Sequence, residues 1–85
     1  MKTQIDNKSL YFENIGDNKI YYSYNTTVAF ETPTEIFISE NVWSVTTAKH
    51  LNRIEELTGR SKADRLKYED FKDHCVSNNI NKSYN

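Results

Sequence analysis

The side chains able to do chemistry in this chain are few and scattered. Two histidines, His50 and His74, and one cysteine, Cys75, make up the candidate nucleophiles, bases and metal ligands. His74 and Cys75 are adjacent, and neighbours on a helix point about 100° apart, which suits neither a Cys–His nucleophile pair nor shared metal ligation. No H-E-x-x-H or C-x-x-C spacing occurs. Both histidines are therefore read as surface or half-buried structural residues. With two glycines, Gly16 and Gly59, no glycine-rich loop can cradle a phosphate. The adjacent acids Glu55-Glu56 and Glu69-Asp70 fall at helix positions where solvated charge is ordinary, not where an acid–base pair is expected. The expectation is a chain that is not an enzyme, with no catalytic residue, metal site or cofactor.

Charge distribution is more informative. Residues 1–48 hold three lysines against six acids, for a net of −3. Residues 49–67 hold Lys49, Arg53, Arg60, Lys62, Arg65 and Lys67 against Glu55, Glu56 and Asp64, for a net of +3. Residues 68–85 carry two lysines against three acids, which brings the whole to −1. A basic cluster of this kind suits an acidic protein groove or phosphates, or it balances the acidic half on the folded surface. Nucleic-acid binders are usually basic overall, whereas this chain has a pI near 6.1. The expected partner-binding set is Lys49, Asn52, Arg53, Arg60, Lys62, Arg65 and Lys67, with a protein as the partner and nucleic acid as the alternative. Tyrosines at alternate strand positions could stack bases, but half-buried sheet surface is the commoner reading.

The elements that must position these residues follow from periodicity. From Lys19 to Thr32, Ile20, Tyr22, Tyr24, Thr26, Val28 and Phe30 share one parity, the period of a strand. Asn25 tolerates the left-handed region, so the run reads as a hairpin turning at Tyr24-Asn25-Thr26, with one continuous strand as the alternative. A short edge strand over 10–15 precedes the Gly16-Asp17-Asn18 turn, and Pro33 ends the ladder before a strand over 35–39. Beyond Trp43 the period becomes helical: Ala48, Leu51, Ile54 and Leu57 recur on one face, Ser44, Thr46 or Thr47 can cap, and Gly59 stops the helix. On that spacing Lys49, Asn52, Arg53 and Glu56 are exposed.

A second helix is expected over 68–77, with Tyr68, Phe71 and Cys75 on one face; Leu66 fits it poorly. Residues 60–67 read as loop or short strand, although Ser61 and Asp64 have the spacing of a capping box that would start the helix early. Residues 78–85 read as a frayed tail. The fold class is thus α+β: an antiparallel sheet of three or four strands against one main helix over 48–58, Trp43 at their junction, and a second short C-terminal helix. The chain reads as one domain with an ordered core over about 10–77.

Eighty-five residues bury about 60–65% of the unfolded chain's surface, so the stability margin is thin. The hydrophobic content is 36% and the charged content 27%, yet 13% aromatic residues argue for a folded core. One cysteine excludes an internal disulfide and suits a reducing compartment. No apolar run is long enough to span a membrane, and the N-terminus lacks the apolar core of a signal peptide.

Two stretches carry a resemblance. Tyr21-Tyr22-Ser23-Tyr24-Asn25-Thr26-Thr27-Val28-Ala29-Phe30 and Asn41-Val42-Trp43-Ser44-Val45-Thr46-Thr47-Ala48-Lys49-His50-Leu51-Asn52 resemble a family of small, uncharacterised bacteriophage domains. That family has a YSY-G/N-T-x-VA strand pair and a WS-x-TT-x-KHLN helix start. The likeness runs from about Ile20 to Phe71. Its members often have Gly at the position of Asn25, which agrees with a turn there. The resemblance implies a phage or prophage protein in bacterial cytoplasm and supplies no functional residue. In that context the expected function is a non-enzymatic accessory protein that binds and blocks or redirects a host protein, an anti-defence or anti-CRISPR role included. The alternative is a nucleic-acid-binding regulator using residues 49–67. No membrane partner is expected, and homo-oligomerisation is left open.

Overall fold

The computed structural model describes residues 1–80, and its architecture is an antiparallel sheet clad by a helix on each face. Five strands run β1 (Thr3–Ile5), β2 (Leu10–Ile15), β3 (Asn18–Ser23), β4 (Thr26–Glu31) and β5 (Ile36–Ile38). Each pairs with its neighbour in sequence, in the order β1-β2-β3-β4-β5. The sequence pointed to three or four strands. The added strand, β1, is three residues long, and its Thr-Gln-Ile composition offers no run from which a period can be read.

The turns explain the meander. Gly16 opens the two-residue β2–β3 turn with a left-handed φ of 61°, where glycine has no Cβ to clash. The β3–β4 turn has the same length, and the expected hairpin forms there. Its left-handed residue is Tyr24, at φ 58°, not Asn25. Asp6 and Asn7, both left-handed, turn β1 into β2, and such short polar residues tolerate that region best.

The period of β3 and β4 is broken by a bulge. Tyr21 pairs with Ala29 and Tyr22 with Thr27, so Val28 is an extra residue. Val28 and Ala29 therefore both join the face carrying Leu10, Tyr21 and Ile38, while Ile20, Tyr22 and Phe30 occupy the other. A single-parity reading of 20–30 cannot hold across that insertion.

Helix α1 (Val45–Thr58) covers the first face through Leu51 and Ile54. It starts three residues before the expected 48, because Ser44 caps it by accepting a hydrogen bond from the Thr47 N–H at 3.2 Å. Gly59, at φ 73°, ends it. Leu57, expected in the core, is 49% exposed. It lies two turns beyond buried His50 on nearly the same helix bearing, close to the C-terminal end of α1. Trp43 packs at the margin of this core and meets Tyr68 edge-on at 5.4 Å.

Helix α2 (Tyr68–Ser77) covers the opposite face with Phe71 and Cys75. The capping box at Ser61 and Asp64 is present, but it closes a short 3-10 turn over Lys62–Asp64 rather than starting α2. Leu66, off the helix, bridges in parallel to Ser39 and seals the outer edge of β5. Past α2 the chain turns back at left-handed Asn79 and buries Ile80 against Cys75 and Phe71. The remainder of the expected frayed tail, 81–85, lies outside the described residues.

Candidate functional site

The basic segment does not survive folding as one patch. Arg65 is internal: its guanidinium and the Glu55 carboxylate are 7% and 8% exposed, joined by two hydrogen bonds, and Nη2 also donates to Asn52 Oδ1 at 3.0 Å. Glu55 is thus not the solvated acid its helix position suggested. Arg53 donates to Asp6 at 2.6 Å and to Glu56 at 3.2 Å, tying α1 to the β1–β2 turn. Lys49, Arg60, Lys62 and Lys67 have no ion pair among the described residues. They are spread over the outer face of α1, the segment after Gly59, and the entry to α2. Asn52 is exposed beside Lys49 but bonded to Arg65.

Two exposed valines lie at the start of α1, Val45 one helical turn before Lys49. Val42 is 50% and Val45 77% exposed. The segment bearing them is held rigidly, since Asn41 Oδ1 accepts from the Trp43 N–H at 3.0 Å and its Nδ2 donates to the Ser44 carbonyl at 2.8 Å. Beside it opens a hollow of about 480 Å³ lined by Glu40, Asn41, Ala48, Lys62 and Arg65.

A second arrangement joins residues that the sequence gave no reason to connect. Ser44 Oγ donates to Thr47 Oγ1 at 3.2 Å, Thr47 Oγ1 lies 3.0 Å from Ser23 Oγ, and Ser23 Oγ lies 2.7 Å from His50 Nδ1. With each hydroxyl donating once, the chain ends on Nδ1 as acceptor, which assigns the imidazole proton to Nε2. Burial, then the charge of Lys8, holds His50 below the usual histidine pKa, so the neutral ring fits this role. The Ser–His distance is that of a nucleophile and its base. Ser23, however, is 2% exposed, and its oxygen is closed to a substrate. The four side chains, buried except for Ser44, act as a brace between the β3–β4 hairpin and the start of α1.

The remaining candidates are quiet. His74 stacks on Phe37 at 4.4 Å, and burial pushes the Cys75 thiol up to about 12, far from the thiolate a nucleophile needs. Among the described residues no group of His, Cys, Asp and Glu could hold a metal ion, and no helix is long and apolar enough to cross a membrane. A hollow of about 490 Å³ lies on the α2 face between Glu13, Asn18, Tyr22, Thr27 and Ile80.

A family model matches residues 1–73, which takes in all five strands, α1 and the first half of α2. The chain belongs to the family of unknown function DUF8033. The DUF8033 match begins at β1, so it extends well upstream of the stretch on which the sequence resemblance rests, and it includes the brace, the Arg65–Glu55 pair and both valines. No curated protein and no solved structure is significantly similar to the chain.

Proposed function

We propose that this DUF8033 domain is a binding module that takes an acidic surface of a partner protein on the outward stripe of α1 and the segment before it. The observation behind this reading is the placement of exposed Val45 one helical turn before Lys49 on α1, with exposed Val42 just upstream and Lys62 across the hollow that Asn41 and Ala48 line, both cations without an ion pair among the described residues. An apolar centre with a charged rim is the composition of a protein-docking patch, and the Asn41 turn limits the ordering that docking requires. The likeness to small phage domains makes a host protein the expected partner and bacterial cytoplasm the expected setting, with a blocking or anti-defence role. The nucleic-acid reading based on 49–67 is weakened, because Arg53 and Arg65 are engaged by carboxylates.

The test is recovery of a partner from bacterial lysate by wild type and by Val45→Asp/Lys62→Glu. The reading expects a protein held by wild type and lost by the double variant at an unchanged melting temperature. Equal recovery by both, or recovery of nucleic acid alone, overturns it.

A further inference from the structure

At the turn end of the sheet, which shares only Lys49 with that patch, the fold brings together features that the docking surface does not use. Tyr24 occupies the slot that Gly16 fills in the sister hairpin, with φ 58° against 61°. A bulky residue in the left-handed region is an outlier, and such strain collects at functional positions. The Tyr24 ring is 51% exposed and is backed by His50, whose ring centroid lies 5.9 Å away at a tilt of 55°. His50 is fixed from behind by the Ser23–Thr47–Ser44 brace. The ring is thus a supported platform at the surface.

Two lysines lie on the elements beside it. Lys8 lies in the β1–β2 turn, whose Ser9 carbonyl accepts from the Tyr24 N–H at 2.7 Å, and its charge acts on His50. Lys2, by contrast, is held on the other face of the sheet, its Nζ 4.1 Å from the centre of the Tyr22 ring and 3.5 Å from Asn25 Oδ1. Lys49 sits one helical turn before Arg53, the residue that grips Asp6 of the β1–β2 turn. Arg53 with Asp6 and Glu56 carries one net negative charge and closes on itself, against the two lysines.

We propose that this end of the domain binds single-stranded nucleic acid, with one base stacked on Tyr24 and the flanking phosphates on Lys8 and Lys49. Aromatic platforms with adjacent cations are how single strands are held without sequence readout. A duplex keeps its bases stacked and cannot use the ring. An acidic peptide would satisfy the lysines but leave unused a tyrosine held where the sister turn has glycine. The site goes beyond the protein-docking reading and is tested on different residues.

The experiment is fluorescence anisotropy with a fluorescein-labelled oligo(dT) of about twelve nucleotides. Wild type is expected to bind with a log–log salt slope of about −1.4, that of two neutralised phosphates on a single strand. Tyr24→Gly, which suits the left-handed slot, is expected to fold and to bind about five- to a hundredfold more weakly. Tyr24→Trp restores binding, and Lys8→Glu weakens it further. Three results overturn the proposal: no binding at low salt, equal binding by folded Tyr24→Gly, or displacement of the oligonucleotide by a poly-glutamate peptide of matched charge, which would mark a general acidic-protein surface.

Discussion

Ser23 and His50, 27 residues apart in sequence, meet inside the domain with Oγ 2.7 Å from Nδ1. Because burial and the Lys8 charge disfavour the imidazolium, the folded chain takes up that proton less readily than the unfolded chain does. Folding stability from this site is full above the unfolded value near pH 6.5 and falls as pH drops from there toward the lower folded value. Thermal melts between pH 7.5 and about pH 5 should show the loss. His50→Asn, which places an acceptor near the Nδ1 position without a titrating ring, should flatten it.

Tyr24 should be a residue whose removal helps the fold. The left-handed region costs a residue with a Cβ about 1–2 kcal/mol, and glycine escapes that penalty. The Tyr24–His50 ring contact returns about 0.5–1.5 kcal/mol. Tyr24→Gly is therefore expected to melt at or a few degrees above wild type. Asn25→Gly, one residue on and not left-handed, is expected to melt lower. A strongly destabilised Tyr24→Gly would contradict the strain assigned to this turn.

Glu55→Ala should be far more damaging than its sequence neighbour Glu56→Ala. Removing Glu55 strands the buried Arg65 guanidinium, and breaking a buried pair in this way costs about 3–5 kcal/mol. Glu56 is exposed, and its pairing with Arg53 is screened by solvent and contributes little. In urea unfolding, Glu55→Leu/Arg65→Met should recover much of the stability lost by either single change.

Leu51 and Leu57 separate the buried bearing of α1 from its exposed end. Leu51→Ala should cost about 2–5 kcal/mol by opening a cavity under the sheet, enough to unfold a domain of this size. Leu57→Ala should stay within about 0.5 kcal/mol. Equal losses at both positions would place α1 differently on the sheet.

Much of this architecture is written in local signals. Hydrophobic period, the Ser44 cap, the Gly16 and Gly59 stops and the Pro33 break specify β2 to β5 and both helices within a few residues. What the sequence hides are contacts between distant residues. Nothing around Arg65 marks it as internal, because its partner Glu55 is ten residues away across the 3-10 turn. The bulge at Val28 is equally silent, and without it the two faces of β4 are misassigned. Tyr24 was legible as part of a turn, but propensity points to Asn25 for the left-handed position, and the register of the paired strands overrides it.

The meander also sets how the chain finds its shape. Its strands are joined by segments of two to four residues, so closing each hairpin loses little chain entropy and the sheet can zip outward from its turns. The late contacts are the ones that reach across the sequence: Leu66 onto Ser39, 27 positions upstream, and Ile80 folding back beneath α2. Truncating Leu66 or Ile80 should then accelerate unfolding while leaving the refolding rate nearly unchanged. The two seals govern how long the native state lasts, and the turns govern how quickly it forms.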